Sequence, residues 1–213
     1  MAIREHWAIP RTFDRTDSNA TYWHLIAHLD PVDQRKQIGR WAKGIRQTYI
    51  PPRQQDMLVK LMLSALPIGE RKGGPGDKRL CTHTACKAHD HMENILHTFR
   101  DCKLASDTLD HIFAAWHTAT GETLDNKCIR TVIFGDRQPK QSNTSPELEE
   151  PYRMIQAHLM HSLWRARCQR AHPDTRRGKE LRSTTAAILQ DIRTGVQAQL
   201  TCRYEEAREM NLI

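Results

Sequence analysis

Long apolar runs are missing from this chain. The longest apolar cluster, Met57 to Leu66, is interrupted by Lys60 and Ser64, whereas a membrane-spanning helix needs roughly 18 continuous apolar residues. No membrane partner is expected. Aromatic residues are scarce, at 6% of 213. Strand signals are poor, and only Ile129 to Phe134 reads as extended. The opening Met1-Ala-Ile-Arg-Glu-His-Trp7 has a basic residue but no apolar segment behind it, so it does not read as a secretory leader.

Catalytic signatures are lacking as well. The chain has no Tyr/Phe-x-Asp-Asp polymerase motif and no His-Glu-x-x-His helix. His91-Met-Glu93 supplies half of a zinc-deaminase signature, but the Pro-Cys-x-x-Cys half is missing. The basic loop from Gly69 to Arg79 lacks the Gly-Lys-Ser/Thr ending and the preceding strand of a phosphate loop. Pro173-Asp174 with Lys179 and Glu180 lacks the acidic spacing of a nuclease and reads as a helix break. The chain is therefore expected not to be an enzyme.

Positive charge is plentiful. Thirty-two Lys and Arg outnumber 25 Asp and Glu, for a net charge of +7. They gather at Arg35 to Arg46, Arg71 to Arg79 and Arg165 to Arg182. Such clusters favour a polyanion, RNA or DNA, without specifying a base sequence. The expected phosphate contacts are Arg71, Lys72, Lys78 and Arg79, together with Arg165, Arg167, Arg170, Arg176 and Arg177. Trp41 or Trp164 would offer a stacking face for bases, although each also fits a core position beside helical apolar residues.

Helical periodicity dominates the rest. Residues 1–48 read as an N-terminal arm followed by a basic helix, entered at Asp30-Pro31 and running through Trp41 and Ile45. Residues 49–120 begin at Pro51-Pro52 with a helix over Gln54 to Leu66, its apolar face set by Met57, Leu58, Leu61, Met62 and Ala65. They end with a helix carrying Ala105, Leu109, Ile112 and Trp116 and closed by Gly121. Residues 121–145 have linker composition. Residues 146–213 read as an antiparallel helical hairpin, with Tyr152, Ile155, Leu159 and Leu163 on one helix and Leu181, Ile188, Ile192 and Val196 on the other. The expected fold is mainly α: a helical bundle-like chain around a small embedded zinc knuckle of CCHC type.

That knuckle lies between Cys81 and Cys102, a window holding three of the six cysteines and four of the twelve histidines. With no secretory leader, cysteines in an intracellular chain read as thiols and metal ligands rather than disulfides. Cys128, Cys168 and Cys202 stand singly and read as inert thiols. Cys81 and Cys86 are separated by four residues, as are His97 and Cys102, which suits a loop plus a helix converging on tetrahedral zinc. His83, His89 and His91 remain alternatives to His97. Four protein ligands would make the Zn2+ structural, because no coordination position is left for water. Glu93 then reads as a helix N-terminal charge or a partner to a ligand.

The stretch Cys81…Cys86…Glu93-Asn-Ile-Leu-His97-Thr-Phe-Arg-Asp-Cys102-Lys-Leu-Ala105 resembles the zinc-binding region that follows the reverse transcriptase domain of non-LTR (LINE-like) retrotransposons. The likeness extends upstream through Leu66-Pro67-Ile-Gly69-Glu-Arg71 and downstream through the Trp116 helix and Leu163-Trp164-Arg165-Ala-Arg167. It covers about 50–118 best and 119–205 loosely. Compared with that pattern, the first cysteine pair is spaced by four residues rather than two, Asn94 stands for Thr, and Lys103 for Pro. The resemblance implies a non-catalytic module gripping template RNA or target DNA. The alternative is a protein-interaction module or retroelement remnant, a homodimer formed through its C-terminal helices.

Overall fold

The computed structural model describes residues 30–47, 49–63, 65–69, 80–137, 145–172 and 184–210. The expected arm at 1–29, the basic loop carrying Arg71, Lys72, Lys78 and Arg79, and the segment carrying Arg176, Arg177 and Leu181 lie outside the described residues. Among those described, the fold is mainly α, with an isolated antiparallel bridge between Leu80 and Met92.

Helix α1 spans Pro31–Ile45 and begins as expected: Asp30 Oδ1 accepts the N–H groups of Val32 at 2.7 Å and Asp33 at 3.0 Å. Helix α2, Pro52–Met62, starts at the proline pair but stops earlier than the apolar pattern implies. Leu66 and Ile68 are buried beyond its end, so these apolar residues reach the core from outside the helix. Helix α3 is one turn, Thr84–Lys87, and a π-helical turn covers His97–Asp101. Helix α4, Lys103–Thr120, is closed by Gly121 in the left-handed region at φ 75°, a conformation other residues adopt only with strain.

Ile129 to Phe134 is not extended. It forms the short helix α5, Ile129–Val132, whose buried Val132, Ile133 and Phe134 enter the core. The 121–145 linker is thus packed structure through residue 137, while 138–144 lies outside the described residues. Tyr152 Oη donates to Thr131 O at 2.8 Å, and Gln156 Nε2 donates to Ile133 O at 2.8 Å. These bonds tie the segment to the long helices.

A short 3-10 turn at Pro146–Leu148 leads into α6, Glu149–Ala171, and α7 covers Thr185–Glu209. Helix α6 is not striped. Its buried residues fall on most of its circumference, because α2, α7 and the π-helical turn all pack on it. A central helix of this kind carries little amphipathic signal. Helix α7 packs antiparallel to α6, with Arg165 near Asp191 at one end and Arg203 bridging to Glu150 at the other.

Ile188 and Ile192 are buried and Val196 is partly so. The expected dimer surface through these residues is therefore consumed within the chain. Trp41 is 1% exposed and stacks on Phe134 with centroids 4.0 Å apart, so it is core and offers no face to a base. Trp164 lies between Phe99 and the Arg167 guanidinium.

Candidate metal centre

The knuckle is assembled by three local devices. Leu80 and Met92 bridge across the loop base, and Cys81 N–H donates to His91 O at 2.9 Å. The four-residue spacer between Cys81 and Cys86 is taken up by α3, which presents Cys86 inward. Asn94 then opens the next turn: its Oδ1 accepts the His97 N–H at 2.8 Å. Asn is as effective a cap as Thr, so Asn94 is well suited to start this turn.

The turn that Asn94 opens decides the ligand set. His97 and Cys102 are five residues apart, which in a regular α-helix would leave them about 140° apart around the axis. The helix instead widens into a π turn, and Cys102 N–H donates to His97 O at 2.6 Å. An i→i+5 turn returns the later residue beneath the earlier one. His97 and Cys102 thereby face the same point as the two loop cysteines.

The ligand atoms of Cys81, Cys86, His97 and Cys102 all lie within 4.8 Å of one another, and all four residues are buried. Cys81 Sγ and Cys86 Sγ each stand 3.8 Å from Cys102 Sγ. A tetrahedral ion with metal–sulfur bonds of about 2.3 Å spaces its sulfurs by roughly 3.8 Å, so the cluster has the size of such a site. His97 Nε2 is buried with no hydrogen-bond partner among the described residues, a costly arrangement for an imidazole nitrogen that lacks a ligand. This donor set fits and can hold a metal ion. His83 Nδ1 reaches only Cys86 Sγ, at 3.9 Å, while His91 stacks on the His97 ring and His89 lies beyond it. None of these three joins the cluster.

Electrostatics favour thiolate at Cys102. A hydrogen bond from the Cys81 thiol lowers its pKa most, and His97 and the N–H groups of Leu104 and Ala105 add to this against the cost of burial. Cys81 is pushed up in exchange by the same bond and by burial, and Cys86 is pushed up chiefly by burial. Backbone donors also reach the other sulfurs: His83 N–H to Cys81 Sγ and Lys103 N–H to Cys86 Sγ, both at 3.4 Å. Proline at 103 would have no such proton to give.

Behind the sulfurs lies an ion pair that spacing could not reveal. Glu93 is 1% exposed and does not join the metal cluster. Its carboxylate takes a fork from Arg167, Nε to Oε1 at 2.9 Å and Nη2 to Oε2 at 2.5 Å, and also accepts the Gly69 N–H at 2.9 Å. Arg167 is therefore buried, neutralised and removed from the expected phosphate contacts. One turn further on, Arg170 is largely buried, with Nε 3.3 Å from Thr82 Oγ1. Its Nη1 is buried without a partner among the described residues. Burial pulls its pKa down, opposed by the charges of Cys102, Cys81 and Glu93. Arg170 thus serves the centre rather than the surface. Arg165 alone of the described set is exposed, 3.6 Å from Asp191.

A sequence signal for this second layer existed. Arg167 and Arg170 continue the buried row of Leu159, Leu163 and Ala166 on α6, and a cation in such a row needs a buried counter-charge. Compared with known proteins, the chain matches no family, no curated protein and no solved structure.

Proposed function

We propose that this chain is a non-catalytic, nucleic-acid-binding module that holds one structural Zn2+ through Cys81, Cys86, His97 and Cys102. Its role would be similar to that of the region following the reverse transcriptase domain in non-LTR retrotransposons. The observation that carries the reading is the buried Cys3His cluster of tetrahedral size. Zinc prefers this donor set. Three thiolates around a divalent ion would leave one excess negative charge, and Arg170, held at Thr82 next to Cys81, would help to balance it.

Bound there, zinc supplies cross-linking and not chemistry. The four side chains would fill a tetrahedral ion's positions and leave none at which water could be activated. The protein's residues do the rest: Asn94 starts the turn, backbone N–H groups hold the sulfurs, and Glu93 and Arg167 fasten the loop to α6. The net charge of +7 supports a polyanionic partner.

Metal analysis of purified protein tests the first half of the reading. One zinc per chain is expected, with loss of that zinc in Cys86→Ser, Cys102→Ser and His97→Ala. A folded, metal-free wild type would sink it. For the second half, binding to a short RNA or DNA duplex must weaken steeply with salt, by nearly one log unit per log of salt for each phosphate contact. Self-association is the second reading, favoured by Leu200 and Tyr204, which are 53% and 61% exposed on α7. A concentration-dependent dimer that shifts no oligonucleotide would favour it.

A further inference from the structure

We infer that the outward face of α1 is a docking surface for the phosphodiester backbone of a nucleic acid, with Arg35, Lys36, Arg40 and Lys43 as its contacts. This rests on the nucleic-acid reading above and assigns it to an element outside the family resemblance and outside the metal centre.

The placement of the charges carries the inference. Arg35, Lys36, Arg40 and Lys43 are all exposed, whereas Gln37, Trp41, Gly44 and Ile45 of the same helix are buried. At 3.6 residues per turn the four cations fall on one continuous arc of about 140°, with none on the core side. Within that arc sits Gly39, where an added Cβ would meet nothing within 4 Å. The helix backbone is therefore open to close approach among the cations. Gly44, by contrast, lies on the buried side against the Arg153 guanidinium.

The charges are available. Among the described residues Lys36 pairs only with Asp33, at 3.1 Å and at the surface, a contact that is easily exchanged. Arg35, Arg40 and Lys43 make no ion pair among the described residues. Elsewhere the helices are balanced differently: α4 and α7 each carry more Asp and Glu than Lys and Arg.

Like charges at i,i+3 and i,i+4, as in Lys36, Arg40 and Lys43, work against an isolated helix, as does a mid-helix glycine. Both choices fall on a face that packs against nothing among the described residues, and an anionic partner relieves the first.

Dimensions fit a phosphate backbone. Arg35 to Lys43 spans about 12 Å along the axis, equal to the rise of three to four nucleotides of one strand along a duplex axis at about 3.4 Å each. A lipid surface is disfavoured because the apolar side of α1 is already consumed by the core, leaving only Val32 exposed among its large apolar residues.

The test compares two variants of the full chain loaded with zinc. One carries Arg35→Gln, Lys36→Gln, Arg40→Gln and Lys43→Gln. The control carries Lys60→Gln, Lys127→Gln, Arg193→Gln and Arg208→Gln, the same charge change at exposed sites elsewhere. Fluorescence anisotropy is read on a labelled single-stranded RNA 20-mer and a 20-base-pair DNA duplex from low to physiological salt. Circular dichroism and zinc content verify folding.

The α1 variant is expected to bind on the order of tenfold to a hundredfold more weakly. Its duplex salt slope should be shallower by about three to four, while the control changes little. Asp33→Asn should tighten binding. Equal loss in both variants would show that net charge alone is at work and overturn the assignment to α1. Unchanged binding in the α1 variant would overturn it while leaving the nucleic-acid reading intact. A wild type that binds neither probe would overturn that reading itself, and retention on vesicles of anionic lipid in its place would move the face to a membrane partner.

Discussion

Lys103 matters to the centre through its backbone more than its side chain. The ammonium pairs with Asp107 at the surface, where such pairs contribute little, but the amide proton reaches Cys86 Sγ. Cys102 has φ −55° and ψ 134°, the conformation a residue before proline adopts, and 103 is the first helical position, where proline is at home. Lys103→Pro should therefore fold normally and lose metal affinity by about tenfold, read by competition with a chromophoric chelator. Unchanged affinity would mean that the N–H···S contact is idle.

Glu93→Ala should cost about 3–5 kcal/mol in urea denaturation, because it leaves Arg167 buried and unpaired. A double variant with Arg167→Met should recover much of that loss. At this scale the cysteines were legible from type and spacing. Choosing His97 over His83, His89 and His91 required the backbone, since only a π turn makes an i,i+5 pair converge. The Glu93–Arg167 pair spans 74 positions, a separation about which a single sequence is silent.

Elements with local punctuation were readable in advance. Asp30-Pro31, Pro51-Pro52, Gly121 and Pro146 each mark a real boundary, because caps and prolines act within a few residues. Ile129 to Phe134 was misleading: its apolar residues are buried by helical-turn geometry and by bonds from α6, not by a sheet.

The approach of α6 and α7 depends on one unmarked glycine. A Cβ at Gly195 would lie 2.4 Å from His158 Nδ1, and that imidazole joins three helices, bonding Gln54 of α2 and Gln199 of α7 at 2.9 Å each. His158 is thus a buried tie between the helices. Gly195→Ala should push the helices apart at a cost of about 1–3 kcal/mol, visible as a lower thermal midpoint.

For the whole molecule, one hydrophobic core links α1, α2, the knuckle and the C-terminal helices, so acid and chelators should act on all of it. Burial holds His158 below its ordinary value of 6.5, and His161 is lowered first by burial and then by Arg165. The unfolded chain takes these protons more readily. The stability they confer is complete above about pH 6.5 and is lost as pH falls through the depressed folded values. Urea midpoints at constant zinc content should drop between pH 7.5 and 5.5, and drop less in His158→Gln. A flat profile would show that the tie is insensitive to charge.

One consequence concerns the order of folding. Cys102 closes the π turn and is also the residue from which α4 departs, its carbonyl accepting the Ser106 N–H at 2.8 Å. Starting a helix is its slow and unfavourable step, since several dihedrals must be fixed for a single bond. An ion that fixes Cys102 fixes the first of them in advance. In refolding kinetics zinc should therefore hasten the appearance of α4, acting as a nucleus for the helix as well as a clasp for the loop.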